Sequence, residues 1–151
     1  MTHVPDTDPR PAVIPLPPSS HAKAVNTFGP AKELELELRR VLRGEIRFDV
    51  GARAIYASDG SYYRQAPIGV VLPRDNDDVI AAMTACRKFG APVLSRGAGT
   101  SLAGQCCNVP VVMDYTKYMN RILEMNPVQQ YAWVQPGVAC DTLRDAAEVI
   151  P

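Results

Sequence analysis

The sequence predicts an α+β fold built on a βαβ unit with a small parallel sheet, and three observations carry that expectation. Ile68-Gly69-Val70-Val71-Leu72 is an apolar run closed by Pro73, too short for a buried helix and the right length for a buried strand. Asp75 or Asn76 then caps a helix that reaches about Phe89, with Val79, Ile80, Met83 and Cys86 as its apolar face and Gly90 as its terminator. Pro92-Val93-Leu94 is a second short apolar run directly behind that helix. A right-handed crossover makes the strands over 68–72 and 92–95 parallel, with the helix packed on their sheet and a third strand over 110–114 joining it.

Length and composition fit one ordinary globular domain. The chain has 151 residues, 46% hydrophobic and 21% charged, enough to bury a core of its own. The net charge is zero, so nothing points to nucleic acid or an anionic surface as a partner. No apolar run approaches the roughly 18 residues of a membrane span. The N-terminus lacks a charged-then-apolar export signal, which points to a cytoplasmic protein.

Residues 1–29 contain Pro5, Pro9, Pro11, Pro15, Pro17 and Pro18, with Pro30 at the border. Proline fixes φ and removes a donor, so this stretch reads as an extended tail. Both histidines, His3 and His21, fall in it, which removes them as catalytic bases of the ordered part. Over 30–43 the pattern turns helical, with Leu34, Leu38, Val41 and Leu42 on one face and Gly44 as the stop. Residues 30–65 form a helical lead-in. Its second half is mixed, with a short helical turn over 53–57 before Ser58-Asp59-Gly60-Ser61. Beyond the βαβ unit, 109–114 is a strand, and 120–125 with 130–135 form a hairpin around Asn126-Pro127. Pro136-Gly137 breaks the second strand, and Asp141 caps a last helix over 142–149.

Cys86, Cys106, Cys107 and Cys140 have no C-x-x-C spacing, and the adjacent pair cannot readily bridge, so no metal site is indicated. All four read as free thiols of a reducing compartment, small hydrophobes in or near the core.

The candidate site is the loop Ser95-Arg96-Gly97-Ala98-Gly99-Thr100-Ser101-Leu102-Ala103-Gly104-Gln105, which opens from the end of the second strand. Glycine lets the backbone approach a ligand and turn through positive φ, so successive N–H groups can converge on an anion. A P-loop would need Lys and Ser/Thr after the last glycine, where Gln105 and Cys106 stand. A Rossmann fingerprint would need glycine at Leu102 and an acidic residue about 20 positions on, where Asp114 is only a loose match. The local pattern is that of a phosphate or diphosphate loop at the carboxyl end of a parallel strand, where open α/β sheets bind ligands.

Five segments taken in order carry a family resemblance: Asp59-Gly60-Ser61-Tyr62-Tyr63-Arg64, Val70-Val71-Leu72-Pro73-Arg74, the loop from Arg96 to Gly104, Met119-Asn120-Arg121-Ile122, and Val134-Gln135-Pro136-Gly137-Val138. From about Tyr56 onward the chain resembles the front half of the PCMH-type FAD-binding domain of the vanillyl-alcohol-oxidase superfamily. Within it, the nearest likeness is to FAD-linked dehydrogenases of D-2-hydroxy acids, the D-lactate, glycolate and D-2-hydroxyglutarate group.

The resemblance implies a first α/β subdomain plus the start of a second, so that 66–151 is a partial FAD-binding domain. It implies that the backbone of Arg96, Gly97, Ala98, Gly99, Thr100 and Ser101 holds the pyrophosphate of FAD and that Gly104 shapes the loop exit. Pro136, Gly137 and Val138 line the adenine or ribose side. The loop has no histidine for covalent attachment, so FAD is noncovalent. The family's reaction passes a hydride from the α-carbon of a 2-hydroxy acid to the flavin. The base and the substrate-binding cap lie in a part beyond these residues, so the chain alone is expected to be inactive. Some relatives carry a downstream iron–sulfur domain, but the four cysteines here lack the spacing of a cluster ligand set. Tyr62, Tyr63 and Arg64 are candidates to reach cofactor or substrate, and Arg64, Arg96 and Lys117 are candidates to bind a carboxylate. The competing reading is a phosphate-ligand or nucleotide-binding module without catalysis, favoured by the lack of histidine or clustered carboxylates near the loop.

Overall fold

A four-stranded mixed sheet carries the core in the computed structural model, which describes residues 28–149. The expected Pro-rich tail, apart from its last two residues, lies outside the described residues, as do His3 and His21. The elements are α1 (Ala31–Val41), β1 (Glu45–Arg47), α2 (Val50–Ile55), β2 (Gly69–Leu72), α3 (Asn76–Phe89), β3 (Val93–Arg96), β4 (Val111–Asp114), β5 (Ile122–Asn126), β6 (Tyr131–Val134) and α4 (Cys140–Glu148).

The sheet order is β1-β2-β4-β3. β2 and β3 run in one direction, as expected, but β4 enters between them and pairs parallel with both. Composition explains the placement. Val111, Val112 and Met113 are apolar on both faces, so only a central position hides them, whereas β3 ends in Ser95 and Arg96, which an edge tolerates. Side chains alternate across the sheet. Val71, Val111 and Met113 join Leu34 and Leu38 of α1 and Ala82, Ala85 and Cys86 of α3 on one face. Val70, Leu72 and Val112 form the other face with Tyr56, Leu94 and Tyr118.

α3 has the predicted ends: the Asp75 carboxylate accepts the Asp78 amide, and Gly90 closes the helix at φ 68°. Its inward face differs from the prediction. Ile80 and Met83 are exposed, and the buried stripe is Asp78, Ala82, Ala85 and Cys86. Small residues let α1 approach α3 closely, and the stripe passes through a charged position that a hydrophobicity pattern assigns to solvent. Asp78 is only 2% exposed and accepts the backbone N–H groups of Arg43 and Arg74, each at 3.0 Å. Burial pushes its carboxyl up, but those two amides and the Arg43 charge outweigh it and hold the group below the usual range. The carboxylate thus ties the α1–β1 connection to the β2–α3 turn.

The lead-in over 30–65 is not helical throughout. Glu45–Arg47 is a strand antiparallel to β2, with one apolar residue among three, so pairing rather than pattern creates it. α2 starts earlier than the predicted turn because Asp49 caps it, accepting the Ala52 amide at 2.8 Å. α4 likewise begins at Cys140, and Asp141 sits in its first turn, bonded to Arg144 rather than acting as the cap. β5 and β6 form the expected hairpin as a separate two-stranded sheet. Among the described residues no helix is long and apolar enough to cross a membrane.

Glu45 joins β1 to the 115–119 turn through Lys117 and the Tyr118 hydroxyl, the latter at 2.5 Å, and pairs with Arg47 of its own strand. Lys117, a candidate carboxylate ligand from sequence, spends its charge on this glutamate. The three bonds, that to Lys117 first, lower the Glu45 carboxyl to about 2.

Two outcomes follow from these contacts. Asp78→Ala leaves two part-buried N–H groups without their acceptor and should cost about 2 kcal/mol in chemical denaturation, whereas Ile80→Ser, on the exposed face, should cost less than about 0.5 kcal/mol. Equal losses would contradict the packing of α3. For Glu45, a depressed folded pKa means a contribution fully present above the ordinary 4.5 and lost as the pH falls through about 2. The stability difference between wild type and Glu45→Gln should therefore hold from pH 7 to 5 and vanish near pH 2, and a difference that disappears by pH 5 would refute the ion cluster.

Candidate functional site

The glycine loop leaves the carboxyl end of β3, one strand from the carboxyl end of central β4. Arg96 ends β3, its carbonyl accepting the Tyr115 amide at 3.2 Å. Its guanidinium lies 5.2 Å from the centroid of the Tyr56 ring. Among the described residues it meets no carboxylate, and its one hydrogen bond is a long 3.5 Å contact to the Cys106 carbonyl. A half-buried cation without a counterion therefore stands at the root of the loop.

Tyr56 is fixed in turn by Asp114, whose Oδ2 accepts the phenol at 2.5 Å while Oδ1 accepts the Thr116 amide and hydroxyl at 2.8 and 2.7 Å. Burial, and then this bond, push the Tyr56 phenol up to about 12. Asp114, the loose match to a ribose carboxylate, has both oxygens occupied by protein groups.

From Gly97 to Leu102 six consecutive backbone N–H groups donate to no hydrogen bond among the described residues, and Gly97, Ala98, Thr100 and Leu102 are exposed. Gly99 turns the loop at φ 72°, and a Cβ there would run into the Arg96 guanidinium. A Cβ on Gly97 would meet nothing within 4 Å, so that side of the loop is open space. Beside it, Arg96, Gly97, Ser95, Tyr115 and Pro136 line a cleft of about 350 Å³. Free amides, an unpaired cation and an open glycine face are the donor set a diphosphate requires.

The remaining candidates divide. Pro136 shares the cleft with Arg96 and Gly97. Gly137 is pressed against the 115–119 turn, donating to the Met119 carbonyl at 2.8 Å, so backbone is what it offers a ligand, and Val138 closes a turn on Gln135. The Ser101 hydroxyl contacts the Cys106 thiol at 3.1 Å, and Gly104, at φ 76°, packs under the Tyr63 ring. Tyr62 projects into solvent. The four cysteines are free: Cys86 is buried, Cys106 and Cys107 half-buried, and Cys140 exposed.

One contributor was not legible as such. Asp59 accepts the Ser61 amide and hydroxyl through Oδ1 and the Cys106 amide, at 3.1 Å, through Oδ2. The Ser61 hydroxyl first, with those amides, lowers its carboxyl to about 2. Its place in an Asp-Gly-Ser turn was the available signal, but nothing local indicated a partner 47 residues away. A second cleft, about 470 Å³, lies between the hairpin and α4 and is lined by uncharged residues such as Met125, Tyr131 and Leu143.

A glycine-rich loop at the carboxyl end of parallel strands is where open α/β sheets bind nucleotide cofactors. The chain belongs to the FAD binding domain family, whose model matches residues 67–149, more than half of the sequence. It is 36% identical over 107 residues to D-2-hydroxyglutarate dehydrogenase of Pseudomonas putida, covering 69% of this chain and 11% of that protein. It is 42% identical over 87 residues to glycolate oxidase subunit GlcD of Escherichia coli, covering 55% and 17%. The chain thus spans less than a fifth of either relative. Among solved structures, alkyldihydroxyacetonephosphate synthase superposes with a TM-score of 0.67 at 20% identity, over 78% of this chain and 24% of that one. p-Cresol methylhydroxylase does so with 0.64 at 19%, over 81% and 25%. These likenesses bear out the PCMH-type fold, and FAD is the cofactor of the family.

The open face at Gly97 generates a separable pair of outcomes. Gly97→Ala should leave the thermal midpoint unchanged yet weaken FAD binding, read by flavin fluorescence, about tenfold or more, because the methyl enters the cradle rather than the core. Gly99→Val should impair both folding of the loop and binding, since it strains the backbone and displaces Arg96. Normal FAD binding by both variants would refute the cradle.

Proposed function

We propose that this chain is the diphosphate-binding portion of an FAD-linked oxidoreductase that oxidises a 2-hydroxy acid, a CH–OH donor, to the 2-oxo acid. The observation that carries the reading is the run of six free amides beside an unpaired Arg96 at the carboxyl edge of the sheet. Arg96, Gly97, Ala98, Gly99, Thr100 and Ser101 hold the pyrophosphate, Gly104 sets the exit of the loop, and Pro136, Gly137 and Val138 flank the adenine or ribose side. Residues 66–151 carry this role and 30–65 lead into it. Bound FAD supplies the hydride acceptor, and this chain's part is to hold and orient it without a covalent link.

The substrate class rests on the relatives, which are named for D-2-hydroxyglutarate, glycolate and D-lactate, all 2-hydroxy acids. Hydride transfer also needs a base, and the local carboxylates are poor candidates. Asp59 and Asp114 are each saturated with protein donors, and the Tyr56 phenol is held protonated. The base and the substrate carboxylate site therefore belong to other residues of the enzyme. Free thiols throughout support a cytoplasmic setting.

The test is anaerobic addition of D- and L-2-hydroxy acids to the FAD-loaded enzyme that contains this chain. Bleaching of the oxidised flavin band by a D-2-hydroxy acid is expected, while the 151-residue chain mixed with FAD and an artificial acceptor should give no turnover above free flavin. FAD that binds but is reduced by none of the acids would leave a nucleotide-binding module without this chemistry.

A further inference from the structure

We propose that Asp59 is a positioning residue for the cofactor: it clamps the 58–64 turn across the back of the glycine loop and so fixes the loop in the form that leaves its amides free. The proposal rests on the reading of that loop as the FAD diphosphate site.

The clamp has three parts. Asp59 Oδ1 folds its own turn by accepting the Ser61 amide and hydroxyl at 2.9 and 2.5 Å. Oδ2 reaches the far end of the glycine loop, accepting the Cys106 amide at 3.1 Å. Between these two anchors the Gly60 amide donates to the Gly99 carbonyl at 2.9 Å. The approach is close, since a Cβ on Gly60 would stand 3.2 Å from the Ser101 carbonyl oxygen and 3.3 Å from that of Thr100.

Peptide geometry converts this contact into an orientation. In a trans peptide the C=O of one residue and the N–H of the next point in opposite directions. The carbonyls of Gly99, Thr100 and Ser101 face the turn, so the amides of Thr100, Ser101 and Leu102 face away from it, where they donate to no hydrogen bond among the described residues. Without the clamp, a loop carrying three glycines has many alternative backbone states, and a diphosphate would have to order it on binding. The acidic side chain does not oppose the anion, because it lies on the carbonyl side and its oxygens are taken by Ser61 and Cys106. Tyr63, whose ring covers Gly104, and Cys107, whose thiol points at the Ala57 and Tyr63 carbonyls, extend the same seam.

The experiment compares the ¹⁵N-labelled 151-residue chain with its Asp59→Ala variant by amide hydrogen exchange and by FAD titration. A lost charge-assisted bond corresponds to about a tenfold change, so the Cys106 and Gly60 amides should exchange about tenfold faster and FAD affinity should fall about tenfold. The Val111, Val112 and Met113 amides of β4 should keep their wild-type rates, which a global loss of stability would not allow, and the fall in FAD affinity separates positioning from a purely local structural role. Unchanged rates at Cys106 and Gly60, equal acceleration in β4, or freed loop amides with undiminished FAD affinity would each overturn the proposal. If the wild-type chain takes up no FAD, it is the cofactor reading that fails, and the exchange rates alone then decide against or for the clamp.

Discussion

Everything that makes the site follows from where β4 lies. Val111, Val112 and Met113 are apolar on both sides, and burying both sides requires a neighbour on each edge and a covered face above and below. β2 and β3 supply the edges, α1 and α3 cover one face, and Tyr56, Leu94 and Tyr118 close the other. Fully burying these three residues is worth several kcal/mol, at about 1.5–3 kcal/mol for each large side chain, which outweighs the entropy of closing the loop between β3 and β4. The result is that the 97–110 segment must leave β3 and return to the centre of the sheet. A glycine-rich connection is thereby held over the carboxyl ends of parallel strands.

The same placement fixes the electrostatics of the loop. Asp114 ends β4 and orients Tyr56, and Tyr56 presents its ring to Arg96 at the end of the neighbouring strand. Arg96 forms no ion pair among the described residues, and the Asp114 carboxylate that ends the neighbouring strand is spent on a phenol and on Thr116. On the other side the Asp59 carboxylate is satisfied by amides and a hydroxyl. The loop is left with surplus donors and positive charge, although the whole chain is neutral.

The parts legible in the sequence are those that depend on local chemistry. The Asp75 cap, the Gly90 stop, the apolar runs of β2 and β4, and the glycine loop behind β3 all report their structure within a few residues. What was hidden depends on distant partners. β1 is a strand because β2 offers it an edge, not because Glu45-Ile46-Arg47 alternates. Ile80 and Met83 look like core until α1 selects the smaller Ala82–Ala85 side, and Asp78 looks like surface until the Arg43 and Arg74 amides meet it. The insertion of β4 between β2 and β3 reverses the naive neighbour order for the same reason. In the site, the glycines, Arg96 and Pro136 were legible, whereas the part played by Asp59 arises from contacts that only the folded chain brings together.

The central claim is that the free amides of the glycine loop receive the diphosphate. Its most direct measurement is a titration of the ¹⁵N-labelled chain with FAD, followed through backbone amide shifts. The account predicts saturable shifts that are largest at Gly97, Ala98, Gly99, Thr100 and Ser101, with smaller ones at Tyr115 and Met119 beside the cleft. Shifts confined to the uncharged cleft between the hairpin and α4, at Tyr131, Ala132 and Leu143, would contradict it.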